Sequence, residues 1–328
     1  MYAILQIIIS VVVIYLIFSV IVYVIVEWIS GILQMRGRML QRAIRDLFRD
    51  ERLGLLIYHH PHVESLKPAN GRLPSYIPSA SVASALIDAI GSRVDENPET
   101  RISEAYKNFI AGVNLLEKSP HKDLLISLAQ QSKDVKELAA SIEKWFNDAM
   151  DRVSGWYKKR LRLVIFIVAS IVTVGFNVDT IHIILAAKAD PILRQRLNDL
   201  GDKLLADPTI NEVVSKPGAD LDYYEDYVND SSISVSDSIE LEVENTDSTL
   251  TTAAGAKLDQ FIYMNQLVRD SELPIGWGLK RDTELLYLIL GWALTVVALT
   301  AGAPFWFDIL KKLVNIRAAG IKPTMPNK

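Results

Sequence analysis

The apolar stretch from Ser170 to Lys188 carries four residues able to do chemistry: Asn177, Asp179, Thr180 and His182. A carboxylate at the bilayer centre costs about 2.5 to 3.5 kcal/mol on insertion scales, so an ionisable residue in a span is a functional candidate by default. Asp179 and His182, three positions apart, share a helical face and can pair. Such a cluster either ends a span early and docks outer helices or a neighbouring subunit, or it lines a proton or cation path. Asp179 precedes Lys188 by nine residues, within about 13 Å of the segment's end. That shallow position favours the docking role.

Three other constellations carry weaker signals. Tyr58–His62 reads YHHPH and brings His59, His60 and His62 together. Imidazole is a common ligand for zinc, copper and nickel, but a site here needs further partners such as Glu64, and an interfacial loop is the plainer reading. Gly302, Pro304, Trp306 and Asp308 lie in GAPFWFDILKK. Proline breaks a helical hydrogen bond and kinks a span, Trp306 suits an interfacial belt, and Asp308 can pair with Lys311 or Lys312. Arg36, Arg38, Arg42 and Arg45 follow the first apolar run and suit anionic lipid headgroups. No phosphate loop, zinc-protease helix or nucleophile elbow is present. The absence of cysteine excludes disulfides and thiolate chemistry. We expect no enzyme activity, no cofactor and no nucleic-acid partner.

The elements that position these residues begin with three apolar runs. Ala3–Val26 has no charge over 24 positions, about 36 Å of helix against a hydrocarbon core of about 30 Å. It lacks the basic leader, short core and small-residue cleavage site of a signal peptide, and reads as a permanent anchor. The second run is 163–187 and the third 285–307. The expected fold is an all-α integral membrane protein with three transmembrane helices. It divides into a first helix (1–27), a cytoplasmic helical domain (28–162), a second helix (163–187), an acidic extracytoplasmic region (188–284), a third helix (285–307) and a basic cytoplasmic tail (308–328).

Charge sets the expected orientation. Residues 28–162 carry a net +5, residues 188–283 a net −10 and residues 308–328 a net +4. Lys and Arg clusters flank the runs after the first, before the second and after the third, which puts those ends in the cytoplasm and the N-terminus outside. Arg194, Arg196, Lys280 and Arg281 on the proposed outer side argue against it.

The first helix is expected to continue past the membrane to Phe48, with apolar positions recurring at three-to-four spacing, and Gly54 can stop it. Tyr58 to Ser79 reads as loop. Short helices are expected at 80–90, 99–113 and 121–131. From Asp134 a long apolar stripe runs without a break into the second span. Further helices surround Ile192–Leu204 and Leu258–Leu267. Pro217–Thr252 reads as acidic loop, within which Ser232–Glu244 alternates like a strand.

Several of these segments resemble a widespread family of bacterial integral membrane proteins with no assigned activity. They are EWISGILQMRGRMLQRAIRDLF (Glu27–Phe48), PSYIPSASVASALIDAI (Pro74–Ile90), WFNDAMDRVSGWYKKR (Trp145–Arg160), NVDT (Asn177–Thr180), LPIGW (Leu273–Trp277) and GAPFWFDILKKLVNIRAAG (Gly302–Gly320). The likeness leaves out Asp207–Gly255, which looks like an insertion. It implies a bacterial membrane protein and carries over no catalytic residue or ligand; the bacterial inner membrane is the expected location. The expected function is a homo-oligomeric anchor or scaffold for a larger assembly that includes lipid and other membrane-complex proteins. An oligomeric channel or membrane-permeabilising effector is the alternative.

Overall fold

The computed structural model describes residues 2–48, 51–67, 73–74, 76–215, 258–269, 271–278 and 285–319. Among them every regular element is a helix, as the apolar periodicities require. The alternating segment Ser232–Glu244 lies outside the described residues. These residues fall into two compact units, one drawn from 32–158 and the other from 2–31, 159–215 and 258–319.

In the first unit, α2 (Met35–Phe48), α3 (Glu51–Tyr58), α4 (Pro61–Glu64), α5 (Ser79–Gly91), α6 (Pro98–Ser103), α7 (Ala105–Asn114) and α8 (Pro120–Gln130) pack with the start of α9 (Val135–Gly175). Ile44, Phe48, Ile57, Leu86, Phe109, Ile142 and Phe146 form the centre of one buried core. The α5 helix touches α3, α4, α6 and α7. It approaches α7 so closely that a side chain at Gly112 would run into the Ile90 carbonyl.

Helix starts are written locally. Asn97-Pro98 and Ser119-Pro120 each place an oxygen acceptor at the N-cap and a proline in the first turn, where its missing N–H goes unnoticed. Before α9, the Asp134 carboxylate accepts from the Glu137 amide at 2.8 Å and Glu137 returns the bond to Lys133 N.

Three sequence expectations for this unit change. The helix over Ala3–Val26, here α1 (Tyr2–Ile32), does not continue to Phe48. Gln34 adopts a φ of +46° and separates it from α2, and its side-chain carbonyl accepts from Leu73 N at 3.3 Å. Gly54 sits inside α3 against Arg45, so its role is close packing and not termination. The 99–113 helix is two, divided at Glu104.

The second unit is built around α1, which is apolar all round and buried from Ile9 to Val26 apart from a few half-exposed positions; a helix of that composition belongs inside. Around it stand residues 159–175 of α9, α10 (Thr180–Ala189), α11 (Pro191–Ala206), α12 (Pro208–Ser215), α13 (258–269), α14 (Leu285–Thr300) and α15 (Ala303–Ala319). The outer faces are apolar as well. Leu163, Phe166, Ile167, Ile171 and Val174 form one exposed stripe on α9, and Leu285, Ile289, Leu290, Leu294 and Val297 are exposed on α14.

One helix, α1, is long and apolar enough to cross a membrane; up to three segments qualify if each bent pair is one span. The 41 residues of α9 run without interruption to Gly175, about 60 Å. The second apolar run is not one straight helix, because α9 and α10 meet at 48°. The third is not straight either. The α14 helix ends at Thr300 and α15 departs at 95°.

The direction of α15 brings together segments that the charge pattern sets apart. Leu299 and Thr300 share a cavity with Val22 and Val26 of α1. Farther along, Trp306 meets Tyr15 in a tilted ring contact with centroids 4.7 Å apart, and Arg317 reaches Asn198, itself bonded to Gln6 O. The helix thus runs back toward the start of α1. Arg317 also grips both carboxylate oxygens of Asp202 at 2.6 Å. Residues expected on opposite faces of a membrane, in 188–284 and 308–328, therefore meet.

Asp207 closes the α11–α12 corner. Its carboxylate accepts from Thr209 N at 2.8 Å and from the Tyr263 hydroxyl of α13. Burial pushes the Asp207 carboxyl up, but the bonds from Tyr263 and Thr209 outweigh it and hold the group below its usual range. The bond to Asp207 pushes Tyr263 up to about 12. A lowered Asp stabilises above its unfolded pKa and a raised Tyr below its own, so the contact is complete between about pH 4 and 10. It weakens as acid titrates Asp207 and as alkali approaches the Tyr263 value. In an absorbance titration of phenolate, Tyr263→Phe is expected to remove a component near pH 12. Loss of one titrating near pH 10 instead would contradict the contact.

Candidate functional site

The four residues NVDT form a helix stop followed at once by a helix start. Asn177 takes a φ of +50°, a left-handed conformation that asparagine tolerates. Val178 N bonds to Thr173 O at 2.9 Å and Asn177 N to Val174 O at 3.1 Å, the paired closing bonds of a helix C-terminus. Asp179 then caps α10, its Oδ1 accepting from Ile181 N at 2.9 Å and His182 N at 3.2 Å. The carboxylate is 2% exposed and faces the partial positive charge of the helix start. It lies against Gly291 of α14, where any side chain would overlap it.

Asp179 meets His182 at the backbone amide, as the cap of α10. Thr180 bonds to other helices. Tyr15 Oη lies 2.8 Å from Thr180 Oγ1, which lies 2.7 Å from Thr295 Oγ1, and Thr295 is 2.8 Å from Val178 O. A carbonyl only accepts, so the protons run one way when Thr295 gives its own to Val178: Tyr15 to Thr180, Thr180 to Thr295, Thr295 to Val178. Asn177 uses both ends of its amide, donating to Gly276 O and accepting from Trp292 Nε1, each at 3.0 Å. This network ties α1, α10 and α14 at the break, and buried polar groups satisfied in this way specify one packing.

Tyr15, Gly291, Trp292 and Thr295 escaped the sequence reading. Each lies inside an apolar run, where a lone hydroxyl, indole or glycine looks like a tolerated exception. The available signal is that polar residues in separate apolar runs must find each other. The same holds for a second cluster, in which Asn198 Nδ2 bonds to Gln6 O at 3.1 Å and Ser10 Oγ at 3.3 Å while its Oδ1 accepts from Arg317.

The other candidates take structural places. Gly302, with φ +86°, closes α14, and its amide bonds to Leu299 O at 3.2 Å. Pro304 stands in the first turn of α15, so it starts a helix and does not kink one. Trp306 Nε1 donates to Ala298 O at 2.7 Å, satisfying a terminal carbonyl of α14. Asp308 is exposed and has no ion pair among the described residues, so the bridge expected with Lys311 or Lys312 is not formed. Arg38 and Arg42 are exposed on one face of α2, while Arg36 and Arg45 are half-buried.

The histidines separate as well. His60 lies 2.8 Å from Asp88 through Nε2 and caps α4 by accepting from His62 N, so its proton sits on Nε2 and points at the carboxylate. His62 stacks on His60, and His59 lies 3.4 Å from Glu64. Among the described residues no three His, Asp or Glu side chains converge as a metal cradle. Comparison of the chain with family models, with curated proteins and with solved structures gives no match.

Proposed function

We propose that this chain is a non-enzymatic integral membrane protein of the bacterial inner membrane, one that oligomerises and anchors a larger assembly. The observation that carries the membrane reading is the apolar exterior of the unit built on α1. Ile171 and Val297 are 65% and 67% exposed, members of stripes laid around a core that is itself apolar. In water so large a patch drives association; in lipid it is the expected surface, with backbone groups bonded inside helices. The assembly reading is supported by the first unit, whose exposed Arg38 and Arg42 suit contact with anionic headgroups beside a partner.

The alternative is an oligomeric channel. Two broken apolar segments and a buried carboxylate favour it, because discontinuous helices build ion sites in transporters. Against it, the hydroxyls and amides at the break are bonded to one another, and conduction needs groups that exchange partners with an ion or water. Planar-bilayer recording separates the two, since the anchor reading requires no conductance.

The Arg317–Asp202 pair supports a topology in which α11 and the end of α15 lie on one side. The ends near Arg36 and Arg162 face the cytoplasm, and α11 and the end of α15 share the outer face. The chain has no cysteine, so single introduced thiols report cleanly. In intact spheroplasts a membrane-impermeant maleimide is expected to label Lys203→Cys and Ala318→Cys, and to label Lys159→Cys only after lysis. Protection of Ala318→Cys alone would restore a straight third crossing. Light scattering on the detergent-solubilised protein tests assembly, and a strict monomer would remove the anchor reading.

A further inference from the structure

We propose that a cavity between α1, the 159–175 part of α9 and the α14–α15 turn binds one acyl chain of an anionic phospholipid, whose phosphate sits at the start of that part of α9. The inference rests on the membrane reading above. The cavity holds about 460 Å³, within the range of ligand pockets. Its walls are largely aliphatic, with Val22, Val26, Ile165 and Leu299 among them. Along α1 it extends from Ser19 to Ser30, about 16 Å of helix and close to one leaflet of hydrocarbon, about 15 Å.

The two ends differ in chemistry. At the inner end Ser19 is 1% exposed and its hydroxyl has no partner. Water is a poor occupant there, because it needs two to four polar partners. An alkyl chain needs none, and the small serine side chain leaves it room. At the other end are Glu27 and Arg162, with Lys159 and Arg160 just before Arg162 on α9. All three cations are exposed. Arg162 on the wall and Lys159, its helical neighbour three positions earlier, set two positive charges against one carboxylate and favour a phosphate that carries net negative charge.

The third wall is the turn itself, Leu299 to Phe305. A chain seated there touches both arms of the 95° bend and braces Gly302, so the lipid acts as part of the fold.

The test uses full-length protein in mild detergent, offered equal amounts of phosphatidylglycerol and phosphatidylcholine, with retained lipid counted by native mass spectrometry. One phosphatidylglycerol per chain is expected, preferred about tenfold. Ser19→Phe fills the inner end and is expected to cut retention of both lipids about tenfold, whereas Ser19→Val leaves it unchanged. Ala301→Trp, at an exposed position on the wall, repeats the loss without touching the core. Arg162→Gln abolishes most of the preference while sparing phosphatidylcholine. Equal retention by the parent, Ser19→Phe and Ala301→Trp overturns the proposal, and equal uptake of the two lipids by the parent overturns the anionic assignment. Flotation with vesicles is measured in parallel: a parent chain that does not float refutes the membrane reading itself, whereas one that floats but retains lipid equally in all variants refutes only this inference.

Discussion

Gly291→Ala is expected to destabilise the α1-centred unit by about 3 kcal/mol, because the new methyl group must displace the Asp179 carboxylate. The displaced oxygen releases the Ile181 and His182 amides, so α10 loses its cap and a charge loses its bonds in one step. In hydrogen–deuterium exchange by mass spectrometry, peptides covering 176–189 should exchange about a hundredfold faster. The change should be rescued by shortening the partner. In an Asp179→Ser background, where a hydroxyl can still cap, the same glycine substitution should cost under about 1 kcal/mol. Equal costs in the two backgrounds would mean that the carboxylate is not what occupies the glycine's space.

Gly112→Ala is the matching change in the other unit, expected to cost about 2 kcal/mol. Here the obstacle is mainly the Ile90 backbone carbonyl, and no side-chain substitution moves it. Ile90→Ala should therefore fail to rescue, and peptides over 79–114 should lose protection while those over 176–189 keep theirs. Rescue by Ile90→Ala would place the conflict on the isoleucine methyl group instead.

How much of this was legible in the chain depends on whether the signal was local. The α5, α8 and α11 helices and the unbroken run of α9 could be read from periodicity and from cap-proline pairs, because each signal lies within a few residues. The turn after α1 could not. Gln34 is an ordinary helix former, and its left-handed φ accompanies a bond to Leu73, 39 positions away. The bends at Asn177 and Gly302 were half legible. Both residues were marked as unusual, but hydropathy averages over a break of a few residues and returns one long span. What Asp179 touches was out of reach, since its neighbour Gly291 is 112 positions later and marked only by the absence of a side chain. The charge rule assigned Arg317 and Asp202 to opposite sides because it counts residues without their partners, and their contact was not visible to it.

The hydroxyl chain from Tyr15 to Val178 has a consequence for how the protein is made. Ribosomes deliver Tyr15 before Thr180, and Thr295 follows Thr180 by 115 residues. Until that moment Thr180 lacks its Thr295 partner and Asp179 lacks the glycine surface that receives it. A chain truncated before Thr295 therefore leaves Thr180 without that partner and the Asp179 carboxylate without its glycine surface. The network is thus completed only when the third of these apolar runs arrives.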